Sequence, residues 1–175
     1  MLVHLGIRNY TVVEALEVEL GPGMTAITGE TGAGKSIMLD ALGLCLGDRA
    51  DPRAIRPGCE RAEVTATFDL ADLPAARAWL AERELPAEEC ILRRVIAGDR
   101  SRAWINGSPA TLQQCAELGR HLADIHSQHA HQSLLRREVQ RSLLDSYAGA
   151  GKAAAHVAAL AREWQETRDA LEALL

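Results

Sequence analysis

The run Met24-Thr25-Ala26-Ile27-Thr28-Gly29-Glu30-Thr31-Gly32-Ala33-Gly34-Lys35-Ser36 begins as a short apolar strand and passes without a break into a glycine-rich loop. Residues 29–36 fit G-x-x-x-x-G-K-[ST], with a strand expected before them and a helix after them, which is the setting this pattern needs. The glycines let the backbone wrap until successive N–H groups point inward at phosphate oxygens. The helix that follows presents its positive dipole end to the same anion. Lys35 adds a point charge for the β- and γ-phosphates, and the Ser36 hydroxyl is placed to ligate Mg²⁺. Gly29, Glu30, Thr31, Gly32, Ala33, Gly34, Lys35 and Ser36 are therefore the expected phosphate cradle of an α/β P-loop fold. Lys35 and Lys152 are the only lysines among nineteen Lys plus Arg. A lysine at this spot fits a functional requirement.

Outward from the loop, Leu2 to Asn9 and Val12 to Leu20 alternate as two short strands ahead of the Gly21-Pro22-Gly23 turn. Ser36 to Leu46 is an apolar helix, and Asp48 to Arg61 reads as an exposed loop. Glu63 to Leu70 alternates as a strand, Pro74 to Arg83 forms a short helix, and Cys90 to Ala97 with Arg102 to Ile105 makes a hairpin around Gly98-Asp99. Asn106-Gly107 marks a turn, and Thr111 with Gln114 fits a capping box that opens a helix. Leu122 to Ile125 reads as a strand end. Ser133 then caps a helix with the apolar face Leu134, Leu135, Val139, Leu143 and Tyr147.

From Ala150 the composition turns to Ala, Glu, Arg and Leu, and a heptad frame places Ala150, Ala153, Val157, Leu160, Trp164, Thr167, Leu171 and Leu174 on one seam. An amphipathic helix packed on its own domain is the competing reading, because Thr167 and the alanines weaken that seam. The frame reaches the last residue with no cap, so the chain is expected to be a fragment that stops inside a longer helix.

Composition sets the outer limits. With 47% hydrophobic and 25% charged residues the chain is globular, and with 3% aromatics it offers no row of stacking platforms for nucleic acid. A net charge of −5 excludes a protein that coats DNA with its whole surface, though not a local basic patch. Nothing resembles a signal peptide or a membrane span, so the chain reads as cytoplasmic. Cys45, Cys59, Cys90 and Cys115 lie far apart, as reduced and mostly buried thiols do.

A cradle binds nucleotide, but hydrolysis also needs a carboxylate beside Mg²⁺ and a group that positions water. Neither Val64 to Asp69 nor Leu122-Ala123-Asp124 makes a convincing acidic motif, and no Ser-Gly-Gly string is present. The string His126-Ser127-Gln128-His129-Ala130-His131-Gln132 admits three readings: a zinc site built on its histidines, a solvated polar loop, or a nucleotide-sensing loop centred on Gln128. In the last, the Gln128 amide oxygen coordinates Mg²⁺ while its NH₂ or a water faces the γ-phosphate. Two arginine clusters, Arg49, Arg53, Arg56 and Arg61 in the loop and Arg93, Arg94, Arg100 and Arg102 on the hairpin, read first as solvated faces and second as contacts to DNA phosphates.

Ile7-Arg8-Asn9-Tyr10, the run from Thr25 to Ser36, Arg102-Ala103-Trp104-Ile105-Asn106-Gly107, and the run from Asp124 to Leu135 together resemble the N-terminal part of the RecN family, bacterial SMC-like DNA repair ATPases. The resemblance spans essentially the whole chain, and the glutamine–histidine string is its most specific part. It implies the N-terminal lobe of an ABC/SMC-type ATPase head with a mixed sheet over residues 1–148, then the start of a coiled-coil arm over 149–175. The signature motif, the acidic motif and the switch histidine would lie in a C-terminal lobe at the other end of the coiled coil. By position, residues 29–36 become the Walker A loop and Gln128 the Q-loop glutamine, catalytic with Lys35 and a Mg²⁺ ligand with Ser36. Arg8 and Asn9 are weaker candidates at the nucleotide edge. Ser127 and Ala130 stand where the family usually has Gly and an acidic residue.

The implied cofactors are ATP and Mg²⁺. The implied partners are the chain's own C-terminal lobe and returning strand, a second head joined through ATP, and DNA of the nucleoid. The implied function is the ATP-binding half of a double-strand-break repair ATPase. A complete small P-loop kinase or nucleotide-dependent regulator is the rival, and it would need an arginine-rich lid, an internal acidic motif and a capped last helix.

Overall fold

Period-two burial builds one antiparallel sheet in the computed structural model, which describes residues 1–29, 34–125 and 137–172. Its strands are β1 (Leu2–Tyr10), β2 (Val13–Glu19), β3 (Arg61–Asp69), β4 (Glu89–Ala97), β5 (Arg100–Ile105) and β6 (Ser108–Ala110), in the order β2-β1-β3-β4-β5-β6. Every ladder among the described residues is antiparallel. Along β3 the residues Ala62, Val64, Ala66 and Phe68 are buried while Glu63, Thr65 and Thr67 between them are not, and Leu92 and Ile96 on β4 follow suit. This alternation gives the sheet one apolar face and one wet face.

The apolar face is covered by α1 (Lys35–Cys45), α2 (Pro74–Ala81) and α3 (Leu112–Leu122). Ala41, Leu42, Leu44 and Cys45 of α1 pack over β1, β3 and β4, and Cys115, Leu118 and Leu122 of α3 close the core toward β5 and α2. The capping box forms as expected: the Thr111 hydroxyl accepts from the Gln114 N–H at 3.2 Å, and the Gln114 Oε1 accepts from the Thr111 N–H at 2.9 Å. Helices α1 and α3 meet backbone to backbone. A Cβ on Gly47 would lie 2.7 Å from the Ala116 nitrogen, and one on Gly119 would lie 3.0 Å from the Leu46 carbonyl oxygen.

The chain divides into two compact units, Met1–Ile125 and His126–Leu175. The second holds α4 (Arg137–Tyr147) and α5 (Gly151–Glu172). Nothing on α5 is buried, and the seam residues Val157, Leu160, Trp164 and Leu171 are more than half exposed. The heptad face thus has no partner among the described residues.

Three expectations change. Met24 to Thr28 pairs with no strand: the β1–β2 ladder ends where the Leu20 N–H donates to the Val3 carbonyl, and after the Gly21-Pro22-Gly23 turn residues 21–29 run exposed, Met24 almost completely. A strand pattern needs a neighbouring strand before it becomes a strand. Leu122 belongs to the end of α3 rather than to a strand, because the capping box and the buried Leu118/Leu122 pair carry the helix that far, with Ala123 extended as its cap. Arg94, read with its neighbours as solvated, is 1% exposed. It occupies an inward position of β4, next in line to Leu92 and Ile96.

Arg94 is poorly satisfied. One terminal nitrogen reaches the Asp48 carbonyl at 3.5 Å, while Nε and the other terminal nitrogen find no acceptor among the described residues. Burial pulls its pKa down, only partly offset by Cys115, Cys45 and Asp48. A buried guanidinium in this state contributes little net stability, so Arg94→Met, which keeps its length, should leave the urea midpoint within about 1 kcal/mol of the parent or raise it. Arg94→Ala, which leaves a hole, should lower it by about 2 kcal/mol or more.

Candidate functional site

The glycine-rich loop enters α1 through Gly34, whose φ of 89° lies in the left-handed region that glycine adopts without strain. Gly34 carries no side chain to accept from the first turn, and no acidic residue sits there, so the leading amides of α1 keep their positive end for an anion. Ser36 stands exposed on that first turn. Its hydroxyl is a hard oxygen donor of the kind Mg²⁺ takes together with phosphate oxygens. Glu30, Thr31, Gly32, Ala33 and Gln128 lie outside the described residues, as do His126, His129 and His131 of the zinc reading.

At its far end α1 is pinned. The Asp48 N–H donates to the Gly43 carbonyl at 3.0 Å, and the Asp48 carboxylate lies so close to Gly43 that a Cβ there would collide with it. Cys45 projects into the core, where burial pushes its thiol up to about 12, and Cys90 is raised to about 12 for the same reason. Neither is a nucleophile at neutral pH.

Asn9 and Thr11 bracket the β1–β2 turn with φ of 51° and 50°. The turn is tied to the loop after α1: the Thr11 N–H donates to the Ala54 carbonyl at 2.6 Å, the Arg56 N–H to Asn9 at 2.9 Å, and the Arg56 guanidinium to the Val12 carbonyl at 2.6 Å. Tyr10 is buried among these groups, and its pKa is raised by burial, then by Asp40 of α1, Asp51 and Asp48. Asn9 therefore sits at the edge where β1 meets the α1 layer. Arg8 does not join it: Arg8 turns to the wet face and reaches Glu17 at 3.5 Å.

The two arginine clusters are also sorted by strand register. Arg93 donates to Glu63 at 2.6 Å and lies 4.9 Å from the centre of the Trp104 ring, while Arg94 points into the core. Arg61, assigned by sequence to the other cluster, is brought across from Arg100, because both pair with Ala97. Only the strand register reveals that grouping.

A family model described as an AAA domain matches residues 4–148. The chain belongs to the AAA domain family. That makes it a nucleotide-binding domain. Its sequence is 54% identical over 151 residues to the DNA repair protein RecN of Vibrio cholerae, covering 85% of this chain and 27% of that protein. It is 49% identical over 178 residues to RecN of Xylella fastidiosa, with 99% and 32% covered, and 39% identical to RecN of Bacillus subtilis, with 86% and 27% covered. The resemblance to RecN carried by the motifs is borne out, and the chain spans about a third or less of the curated relatives it matches.

Among solved structures, a chain from work on ATP-driven dimerization and DNA-stimulated activation of SMC ATPases superposes with a TM-score of 0.59 at 21% identity, covering 83% of this chain and 97% of that one. An Smc head bound to the C-winged helix domain of ScpA gives 0.56 at 25% identity, covering 69% and 40%. The AAA domain therefore has the α/β P-loop fold of an SMC-type ATPase head, as expected.

Proposed function

We propose that this chain is the ATP-binding half of an SMC-like ATPase that acts in the cytoplasm, on the nucleoid, in recombinational repair of DNA double-strand breaks. The observation that carries this reading is the entry to α1, where left-handed Gly34 turns the Gly29–Ser36 motif into the helix and leaves the first-turn amides uncapped. In this reading the residue 29–36 amides and Lys35 hold the β- and γ-phosphates of ATP, Ser36 and Gln128 hold Mg²⁺, and Asn9 borders the nucleotide. Bound Mg²⁺ would neutralise charge that develops on the phosphates. Residues 1–148 form the N-terminal lobe and 149–175 begin the outgoing arm.

Two features support a second lobe. Met24 to Thr28 offers an exposed, unpaired apolar strand pattern directly before the cradle, and α5 offers an uncovered heptad seam. A C-terminal lobe would add a strand beside the first and a returning helix against the second. It would also bring the carboxylate that hydrolysis needs, and ATP held between two such heads would join them. The kinase reading is not favoured, since the relatives include RecN proteins and the solved neighbours include an Smc head.

The test uses this chain alone. It should bind Mg-ATP and turn it over no faster than background, because it holds a cradle without an acidic partner. Steady-state hydrolysis that Lys35→Ala abolishes would overturn the split-head reading.

A further inference from the structure

The wet face of the sheet carries a cluster of positive charge that the nucleotide site does not use. Arg61 on β3, Arg93 on β4, and Arg100 and Arg102 on β5 surround a shallow depression of about 450 Å³, floored by Val95 and Ala97 and walled by Trp104. Register explains the grouping. Arg61 and Arg100 flank Ala97 from opposite sides, and Arg102 sits across from Val95, so small side chains lie in the middle and long cationic ones around them. Of the four, Arg93 makes a direct ion pair, to Glu63, whose carboxylate is held below its usual range chiefly by that bond and further by the nearby charge of Arg61. Arg61, Arg100 and Arg102 are exposed and make no ion pair among the described residues. The other acids nearby, Glu60 and Asp99, lie in the flanking turns.

Three unpaired guanidiniums this close repel one another, and the arrangement is stabilised by an anion with several charges. Arg100 and Arg102 are two residues apart on one strand, roughly 6.7 Å, and Arg61 stands two strands away, roughly 10 Å. With their backbone origins spread this far along and across the sheet, the three side chains present charge over an extended area, which suits successive charges along a chain. The chain as a whole is negative at −5, so the attraction is local and favours a densely charged polymer over a mildly acidic protein. Trp104 already has Arg93 over its ring, so it does not serve as a base-stacking platform. The contact therefore lies with backbone rather than bases.

We infer that the β3–β4–β5 outer face, through Arg61, Arg100 and Arg102, is a sequence-independent docking surface for the phosphodiester backbone of DNA. This rests on the reading of the chain as part of a DNA repair ATPase, and it locates where that protein touches its DNA. The cradle is entered through α1, on the opposite face of the same sheet, so the two sites are physically separate.

The experiment measures binding of this chain to a labelled mixed-sequence DNA duplex by anisotropy across a salt series. Arg100→Gln with Arg102→Gln should weaken binding to all sequences alike and shallow the slope of log K against log salt by roughly two units, near 0.9 per lost phosphate contact. Arg61→Gln should remove about one more, and Arg100→Lys with Arg102→Lys should restore the parent slope, since a phosphate needs only the charge. Arg49→Gln with Arg53→Gln, in the loop after α1, should leave it unchanged. Circular dichroism of each variant confirms that the sheet is intact. An unchanged slope in the Gln variants, no duplex binding by the parent, or equally strong competition by polyglutamate would each overturn the assignment. Nucleotide binding measured on the same samples keeps the two readings apart. If Mg-ATP does not bind but the slope still responds to Arg100 and Arg102, the ATPase reading fails and the surface stands. The reverse pattern removes only the surface.

Discussion

Lys35→Ala is expected to lower affinity for Mg-ATP by between ten- and a hundredfold, measured by calorimetry or a fluorescent analogue on this chain. The charge-assisted contact of an ammonium with phosphate oxygens is worth about 1.5–3 kcal/mol, and the 29–36 amides that remain retain some binding. Gln128→Ala should behave differently. In the proposed mechanism the glutamine links Mg²⁺, the γ-phosphate and an arriving partner head, so it acts mainly in the transition state. In the reconstituted full-length protein, kcat should fall by roughly one to three orders of magnitude while nucleotide affinity changes little. His129→Ala should leave fold and metal content alone. Normal hydrolysis by Gln128→Ala, or stoichiometric zinc released by His129→Ala, would reassign the loop.

Gly47→Ala should be the most destabilising single-methyl change in the Met1–Ile125 unit. Two penalties coincide at this residue: a φ of 106°, which an L side chain rarely adopts, and a new Cβ 2.7 Å from the Ala116 nitrogen and 2.8 Å from its Cβ. The backbone penalty is about 1–2 kcal/mol, and overpacking adds about 1–3 kcal/mol because the obstacle is another helix's backbone. A loss of about 2–5 kcal/mol should appear in urea unfolding, and the melting temperature should drop by roughly 10 °C. Gly58→Ala is the internal comparison, with φ of 84° but nothing within 4 Å. Equal losses at the two positions would mean that α1 and α3 are not in tight contact.

The contrast between those glycines shows where the sequence was legible. Local rules sufficed for Thr111 and Gln114, whose capping box is written in four residues, and for β3 and β4, whose alternation matches their burial. The cradle pattern is equally local, eight consecutive residues, of which the described Gly34 takes a left-handed conformation at the entry to α1. What depends on distant partners was not legible. Met24 to Thr28 has a strand's composition and no strand beside it among the described residues, and Leu122 reads as a strand end because a short apolar run looks alike in either state. The short strand β6 went unread because Gly107 and Pro109 hide its pattern. Arg93 and Arg94 were indistinguishable in composition, and the pairing of β3 with β4 alone decides which of them faces water. Alternation along β1 sets Arg8 beside Glu17 on the wet face, a placement that depends on the pairing of β1 with β2.

That division of Arg93 from Arg94 has a genetic consequence. A β-sheet is one backbone thick, so neighbouring codons on β4 alter different surroundings, one the arginine-rich surface and the other the packing beneath α1. Substitutions on the two faces share few side-chain partners and should combine nearly additively. Substitutions at Arg93 should therefore perturb only the outer face and its Glu63 and Trp104 contacts, while cavity-forming substitutions at the adjacent codon, Arg94, loosen the core beneath α1.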